Sequence, residues 1–126
     1  MTPDPASSLD GRRILLVEDE TFVTMLLEDM LDELGCTVAG AAASFPDGLR
    51  IAQTVEADAA ILDVNLAGHE IFPIAERLAV RGVPVIFATG YDKEALPQRW
   101  RSTQMIRKPF SIEQVRAALG RVLGVN

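Results

Sequence analysis

"AAILDVNLAG", residues 59–68, decides the fold. A short apolar run ends abruptly in Asp63, and the chain then turns polar and flexible. A continuous apolar run of this length, bounded by polar residues, suits a strand buried on both faces, as in a parallel sheet. A carboxylate at the tip of such a strand has four readings: a turn residue, a helix cap, a metal ligand or a nucleophile. The rest of the chain decides among them.

Working outward, the same kind of run recurs with helical stretches between. "RILLVE" (13–18) is strand one. "DETFVTMLLEDMLDELG" (19–35) is helix one, with Phe22, Leu26, Met30 and Leu34 at helical spacing and Val23, Leu27 and Leu31 beside them. Asp19 stands at the N-cap position and Gly35 just past the end. Met25 and Leu27 widen the apolar stripe, which suits either extra core or a docking surface. "TVAGAAA" (37–43) is a small-residue strand two. Ser44 or Asp47 caps helix two, with Pro46 in its first turn.

"DAAILDV" (58–64) is strand three, and "HEIFPIAERLAVRG" (69–82) is helix three, interrupted early by Pro73 and stopped by Gly82. "PVIFATG" (84–90) is strand four. "YDKEALPQRWRS" (91–102) is polar and broken by Pro97, so any helix there is short, and Trp100 is expected to be partly exposed. "TQMIRK" (103–108) is strand five. "SIEQVRAALGRVLG" (111–124) is the last helix, with Ser111 as N-cap and Ile112, Val115, Leu119 and Val122 facing inward. Strand and helix alternate five times, which predicts a doubly wound, right-handed α/β domain with a parallel sheet.

The totals agree with one soluble domain. The chain has 126 residues, 48 % hydrophobic and 24 % charged. Its net charge of −6 argues against non-specific nucleic-acid binding. No apolar run approaches the ~20 residues that span a bilayer, and "MTPDPASSLDG" lacks the signature of a signal peptide. Cys36 is the only cysteine, which fits the reducing cytoplasm, and it reads as a small buried apolar residue. His69 is the only histidine, with no partner for metal binding, and reads as a loop residue. Residues 1–11 are expected to form a flexible leader and 12–126 the domain.

Ligands of such sheets bind outside the carboxyl ends of the strands. Here those ends carry Glu18-Asp19-Glu20, Asp63, Thr89-Gly90 and Lys108-Pro109. Carboxylates at Glu18, Asp19 and Asp63 repel at close range unless a cation intervenes, and a hard, oxygen-rich site suits Mg²⁺. Lys108 and Thr89 would be idle in a pure metal site. They acquire a purpose if a phosphoryl group arrives, because an ammonium, a hydroxyl and Mg²⁺ can each hold one of its oxygens. An aspartate can attack phosphorus and form an aspartyl phosphate.

With "LLVEDE", "ILDVNL", "FATG" and "RKPF" in this order at strand ends, the chain resembles the receiver domain of two-component response regulators over residues 12–123. The resemblance implies a flavodoxin-like (βα)5 fold with strand order 2-1-3-4-5. It implies that Asp63 accepts phosphate from a phosphohistidine on a sensor histidine kinase or a histidine phosphotransfer protein. Asp19 would ligate Mg²⁺ directly, Glu18 through water, and Asn65 through its backbone carbonyl. Thr89 and Lys108 would contact the phosphoryl oxygens, and Lys108–Pro109 would be cis. "PVIFATGY" resembles a subclass with a Phe-Ala-Thr-Gly motif and a shortened or disordered fourth helix. With few residues after Leu123, the chain is expected to be a stand-alone, non-enzymatic regulator, a monomer or weak dimer that acts through a protein partner or a phosphorelay.

Two departures stand out. "DVNLAGHEIF" lacks the Pro and the Asp-Gly that many receivers carry after the acceptor. Met105 occupies the place of the family's switch aromatic. They support one rival, a phosphate-independent interaction module. A second rival, a haloacid-dehalogenase-like phosphatase, needs Asp-x-Asp after strand one, where this chain has Glu-Asp-Glu.

Overall fold

The computed structural model describes residues 8–125. The chain runs β1 (Arg13–Val17), α1 (Thr21–Glu33), β2 (Thr37–Ala42), α2 (Phe45–Thr54) and β3 (Ala59–Asp63). It continues through β4 (Asn65–Leu66), β5 (His69–Glu70), α3 (Phe72–Val80), β6 (Val85–Thr89), β7 (Gln104–Arg107) and α4 (Ile112–Leu123). The main sheet is ordered β2-β1-β3-β6-β7, with every pairing parallel. This is the expected 2-1-3-4-5 order once the small antiparallel β4–β5 hairpin is set aside.

The period-2 geometry of strands divides the apolar runs between two cores. Ile14, Leu16, Ile61, Ile86 and Ile106 face α1 and α4. Leu15, Val17, Leu62, Val85 and Phe87 face α2 and α3. Every residue of β3 and β6 is buried, which is why their sequences lack a polar face. Gly48 lets α2 approach closely. A Cβ there would lie 2.8 Å from Ile74 Cδ1 and 3.0 Å from Val17 Cγ1.

Several local expectations are met. Ser44 caps α2 by accepting from the Asp47 amide, and Pro46 sits in its first turn. Ser111 and Gln114 form a reciprocal capping box on α4. Gly35 is left-handed just after α1. Cys36 is buried. No α-helix forms between β6 and β7; two 3-10 turns, Lys93–Ala95 and Gln98–Trp100, take its place. Trp100 there is partly buried, stacked on Phe72 and edge-on to Phe87.

Others are corrected. The N-cap of α1 is Glu20, which makes no side-chain cap bond, and the carboxylate of Asp19 accepts instead from the Ala67 amide. Phe22 and Leu26 do not join the core and are 85 % and 45 % exposed. Residues four apart drift by about 40° per step around a helix, so the row that packs at Met30 has rotated to solvent by Phe22. α3 begins at Phe72, three residues later than the predicted start at His69, which instead belongs to β5. Pro73 does not interrupt the helix. It lies in the first turn, where its missing N–H has no partner to lose. On α4, Ala118 is fully inside and Ile112 and Val122 are only half-buried.

Residues 1–7 of the expected leader lie outside the described residues. From Ser8 the chain is held to the domain: Leu9 packs in the core beside α1, and the Gly11 amide donates to Gly35 O over 2.8 Å.

Candidate functional site

The four strand ends named from the sequence meet at one edge of the sheet. Glu18 follows β1, its amide donating to Ala42 O, and its side chain is 2 % exposed. Its Oε2 accepts from the Glu20 amide over 3.1 Å. Its Oε1 has no hydrogen bond of good geometry, with the Lys108 ammonium 2.9 Å away. Asp63, 6 % exposed, closes β3 and accepts from the Asn65 amide through Oδ1 over 3.3 Å. Its Oδ2 lies 3.4 Å from the same ammonium. Lys108 thus stands between two buried carboxylates.

Thr89 ends β6 and is buried, with its Oγ1 accepting from the Tyr91 amide over 3.0 Å. Its carbonyl accepts from the Lys108 amide over 2.8 Å, which ties β6 to β7 at the site. The Lys108–Pro109 bond is cis.

The electrostatics follow from these contacts. Burial, reinforced by Glu18, pushes the Asp63 carboxyl up to about 7; Lys108 and the Asn65 amide pull only partly the other way. Burial alone would lower the Lys108 ammonium, but Glu18 and Asp63 together hold it above the usual lysine range. One cation serves two buried carboxylates, and the site is short of positive charge.

That deficit is the test for a metal. Carboxylate oxygens of Glu18, Asp19 and Glu20 lie within 4.8 Å of one another, one of them on a buried residue. Hard oxygen donors and two buried carboxylates that share a single ammonium fit a small divalent cation such as Mg²⁺. Glu20 enters this trio and Asp63 does not, although Asp63 interacts with Glu18. Of the two, buried Asp63 has the greater need of a cation, since exposed Glu20 is already solvated.

The hairpin after Asp63 is the feature that sequence reasoning missed. The Ile71 amide donates to Val64 O over 3.2 Å, and antiparallel pairs alternate between bonded and non-bonded positions. Asn65, opposite Glu70, therefore sits in a non-bonded position, with its backbone turned out of the ladder. Its amide goes to Asp63, so its carbonyl faces the same way. At the tip, the Ala67 amide donates to Asp19 Oδ2 over 3.0 Å. The signal in the sequence was weak: Gly68 between Leu66 and His69 fits a two-residue hairpin turn, but Ala67 stands where asparagine, aspartate or glycine is the usual mark. His69 stacks on Phe45 with centroids 5.3 Å apart.

Beside this edge lies a cleft of about 500 Å³ lined by Asn65, Glu70, Phe72, Tyr91, Leu96 and Arg101, among others. Tyr91 is exposed at its mouth. Met105, half-buried, packs in the core that includes Phe87 and Trp100. Among the described residues no helix is long and apolar enough to cross a membrane.

Comparison with known proteins agrees with this geometry. The chain is 32 % identical over 114 residues to the phyllosphere-induced regulator PhyR of Methylorubrum extorquens, covering 87 % of this chain and 43 % of PhyR. It spans about half the length of the curated relatives it matches. The solution structure of SdrG from Sphingomonas melonis Fr1 superposes with a TM-score of 0.79 at 40 % identity, covering 91 % of this chain and 98 % of SdrG. The receiver domain of sensor histidine kinase PA1611 from Pseudomonas aeruginosa PAO1 superposes with a TM-score of 0.74 at 28 % identity, covering 90 % of this chain and 98 % of that domain. That domain was solved with a magnesium ion coordinated in its active-site cleft. The family model of the response regulator receiver domain matches residues 14–120, and the chain belongs to that family of two-component signalling domains.

Proposed function

We propose that this domain accepts a phosphoryl group on Asp63 from a phosphohistidine, in a Mg²⁺-dependent reaction, and passes the change to a protein partner or along a phosphorelay. The observation that carries the reading is the placement of Lys108 Nζ, 2.9 Å from Glu18 and 3.4 Å from Asp63, which is the last residue of a fully buried strand. A structural ion pair needs one carboxylate; two buried ones make a site that awaits further positive charge.

Asp19, Asp63 and the outward carbonyl of Asn65 would hold the ion, with Glu18 acting through water. Bound Mg²⁺ supplies charge neutralisation for the incoming phosphoryl group and for its transition state. The chain's own residues do the rest. Asp63 offers a carboxylate oxygen to phosphorus; a P–O bond forms as the donor's P–N bond breaks, and the departing imidazole takes a proton from water. Lys108 holds one phosphoryl oxygen. Thr89 donates its hydroxyl proton to a second oxygen, and turning toward it draws Oγ1 away from the Tyr91 amide, which loosens the segment that begins at Tyr91. That segment's two 3-10 turns are also what the Phe-Ala-Thr-Gly subclass would lead one to expect.

The partner surface assigned here is the outer face of α1. Phe22 and Met25 are 85 % and 56 % exposed there, beside Glu28 and Asp29, and a crevice between α1 and β2 leads from Met25 to Glu18. Such a face suits an apolar ridge with basic flanks. A single buried cysteine, Cys36, fits a reaction in the reducing cytoplasm.

The test is direct. Incubation with a small-molecule phosphodonor and Mg²⁺ should add one phosphoryl mass to the wild type and none to Asp63→Ala. Omitting Mg²⁺ should suppress the gain. No modification under any condition sinks the proposal, and a gain that survives Asp63→Ala moves the acceptor elsewhere.

A further inference from the structure

We infer that the backbone amide of Ala67, at the tip of the β4–β5 hairpin, is a positioning donor for Asp19, so that the hairpin and the metal site are energetically linked. The inference rests on the Mg²⁺ reading above and adds a group outside the four strand-end motifs.

The hairpin is anchored at three points. Leu66 is fully buried, His69 stacks on Phe45, and the Ala67 amide reaches Asp19 Oδ2 over 3.0 Å across 48 residues of sequence. The turn itself is unusual. Ala67 has φ of 50° and Gly68 of 85°, and among the described residues Ala67 is the one non-glycine with positive φ. Two successive left-handed residues make the mirror-image two-residue turn, which asparagine fills with less strain than alanine. In that turn the first central amide takes no part in the hairpin's own bonds, so the Ala67 N–H is available to α1's leading carboxylate.

A metal-binding carboxylate held by an outer hydrogen bond has lost its rotational freedom before the ion arrives. Removing such a partner costs about 10- to 100-fold in metal affinity. The linkage is reciprocal: whatever the hydrogen bond adds to Mg²⁺ affinity, Mg²⁺ adds to closure of the hairpin.

The test replaces the Ala67 amide by an ester, through lactic acid incorporated at that position, which removes the donor and keeps the side chain. Mg²⁺ affinity, read by titration calorimetry, should fall about tenfold or more, while Ala67→Gly, which keeps the N–H, should retain wild-type affinity. In the wild type, Mg²⁺ should slow hydrogen exchange at the Leu66 and His69 amides, and in the ester variant it should not. Equal Mg²⁺ affinity in ester and wild type overturns the inference. So does faster exchange in the hairpin when Mg²⁺ is added, since the ion would then be displacing the amide. If the wild type binds no Mg²⁺, the metal reading falls and takes this inference with it; if the wild type binds Mg²⁺ and the ester binds it equally well, the metal reading stands and this inference alone falls.

Discussion

Helices α1 and α4 cover the same face of the sheet and feed the same core, yet they are finished differently. α4 follows the local rules at both ends. It has a capping box, an acidic residue in its first turn, a basic one in its last and a left-handed Gly124 at its end. α1 follows few. Its N-cap makes no side-chain bond, its last turn has no basic residue, and Phe22, Met25 and Leu26 face solvent. Its leading residues Glu18, Asp19 and Glu20 crowd the helix N-terminus, where the macrodipole favours negative charge, but they are aimed at the sheet edge instead of capping. The contrast teaches that one helix of the pair serves the fold and the other is shared with the site, since local rules are broken where function competes.

The comparison breaks first if the two inner stripes differ in weight. Leu27 and Leu119 are each at most 1 % exposed in one core, so Leu27→Ala and Leu119→Ala should each cost about 2–5 kcal/mol. Urea denaturation curves should show similar drops in midpoint. A Leu27→Ala midpoint close to wild type would mean that α1 is not held by the shared core.

The next effect concerns Asp63, which shares its site with the acidic end of α1. Asp63 titrates near 7 in the folded protein and near 3.9 when unfolded, so the folded state binds more protons between those values. Metal-free protein should therefore lose stability as pH rises from about 4 to about 7 on account of this group. Asp63→Asn should remove that slope and stabilise the metal-free protein above pH 7, by at most about 4 kcal/mol. Thermal unfolding at pH 4 and pH 8 with a chelator present checks it. A variant no more stable than wild type at pH 8 would show that Lys108 already neutralises the site. Millimolar Mg²⁺ should reduce the advantage by stabilising the wild type alone.

Much of this was legible in the sequence, for a physical reason. β3 and β6 are buried on both faces, so their apolar runs are unambiguous, and their ends fall at Asp63 and Thr89. The acidic pair follows the buried run of β1 in the same way, whereas Lys108 ends the partly exposed edge strand β7 and was located by the alternation of strands and helices. The rest depended on contacts that periodicity does not carry. An apolar residue on α1 can face core or solvent, and Phe22 and Leu27 look alike until the sheet picks a side. The hairpin hid because each of its strands has only two residues, too few for alternation to register, and because its turn uses Ala67 where asparagine would have announced it. The sequence offers Asp19 both as a cap and as a metal ligand; the cap bond does not form, and the hairpin's Ala67 amide, which no periodicity announces, donates to its carboxylate.

Capping gives a smaller, sharper contrast. Ser111→Ala should cost α4 about 1 kcal/mol, because the hydroxyl satisfies the Gln114 amide. Glu20→Ala should change stability by less than about 0.5 kcal/mol, since its side chain caps nothing. Chemical denaturation of both variants checks the pair. Equal losses would mean that α1 gains a cap in solution and that its ends are not so different from those of α4.

The smallest effect on folding should accompany the most selective effect on function. Phe22 is 85 % exposed, so Phe22→Ala removes almost no buried surface, and stability should stay within about 0.5 kcal/mol of wild type. If the outer face of α1 receives the phosphodonor protein, the same variant should slow phosphoryl transfer from that protein, because exposed aromatic side chains are frequent anchors of such interfaces. It should leave transfer from a small-molecule phosphodonor unchanged, since that reaction needs only the Asp63 site. Phe22 belongs to none of the strand-end motifs, so a loss with both donors would point to a perturbed site and not to docking. A loss with neither would return α1 to the same standing as α4, a helix that serves the fold alone.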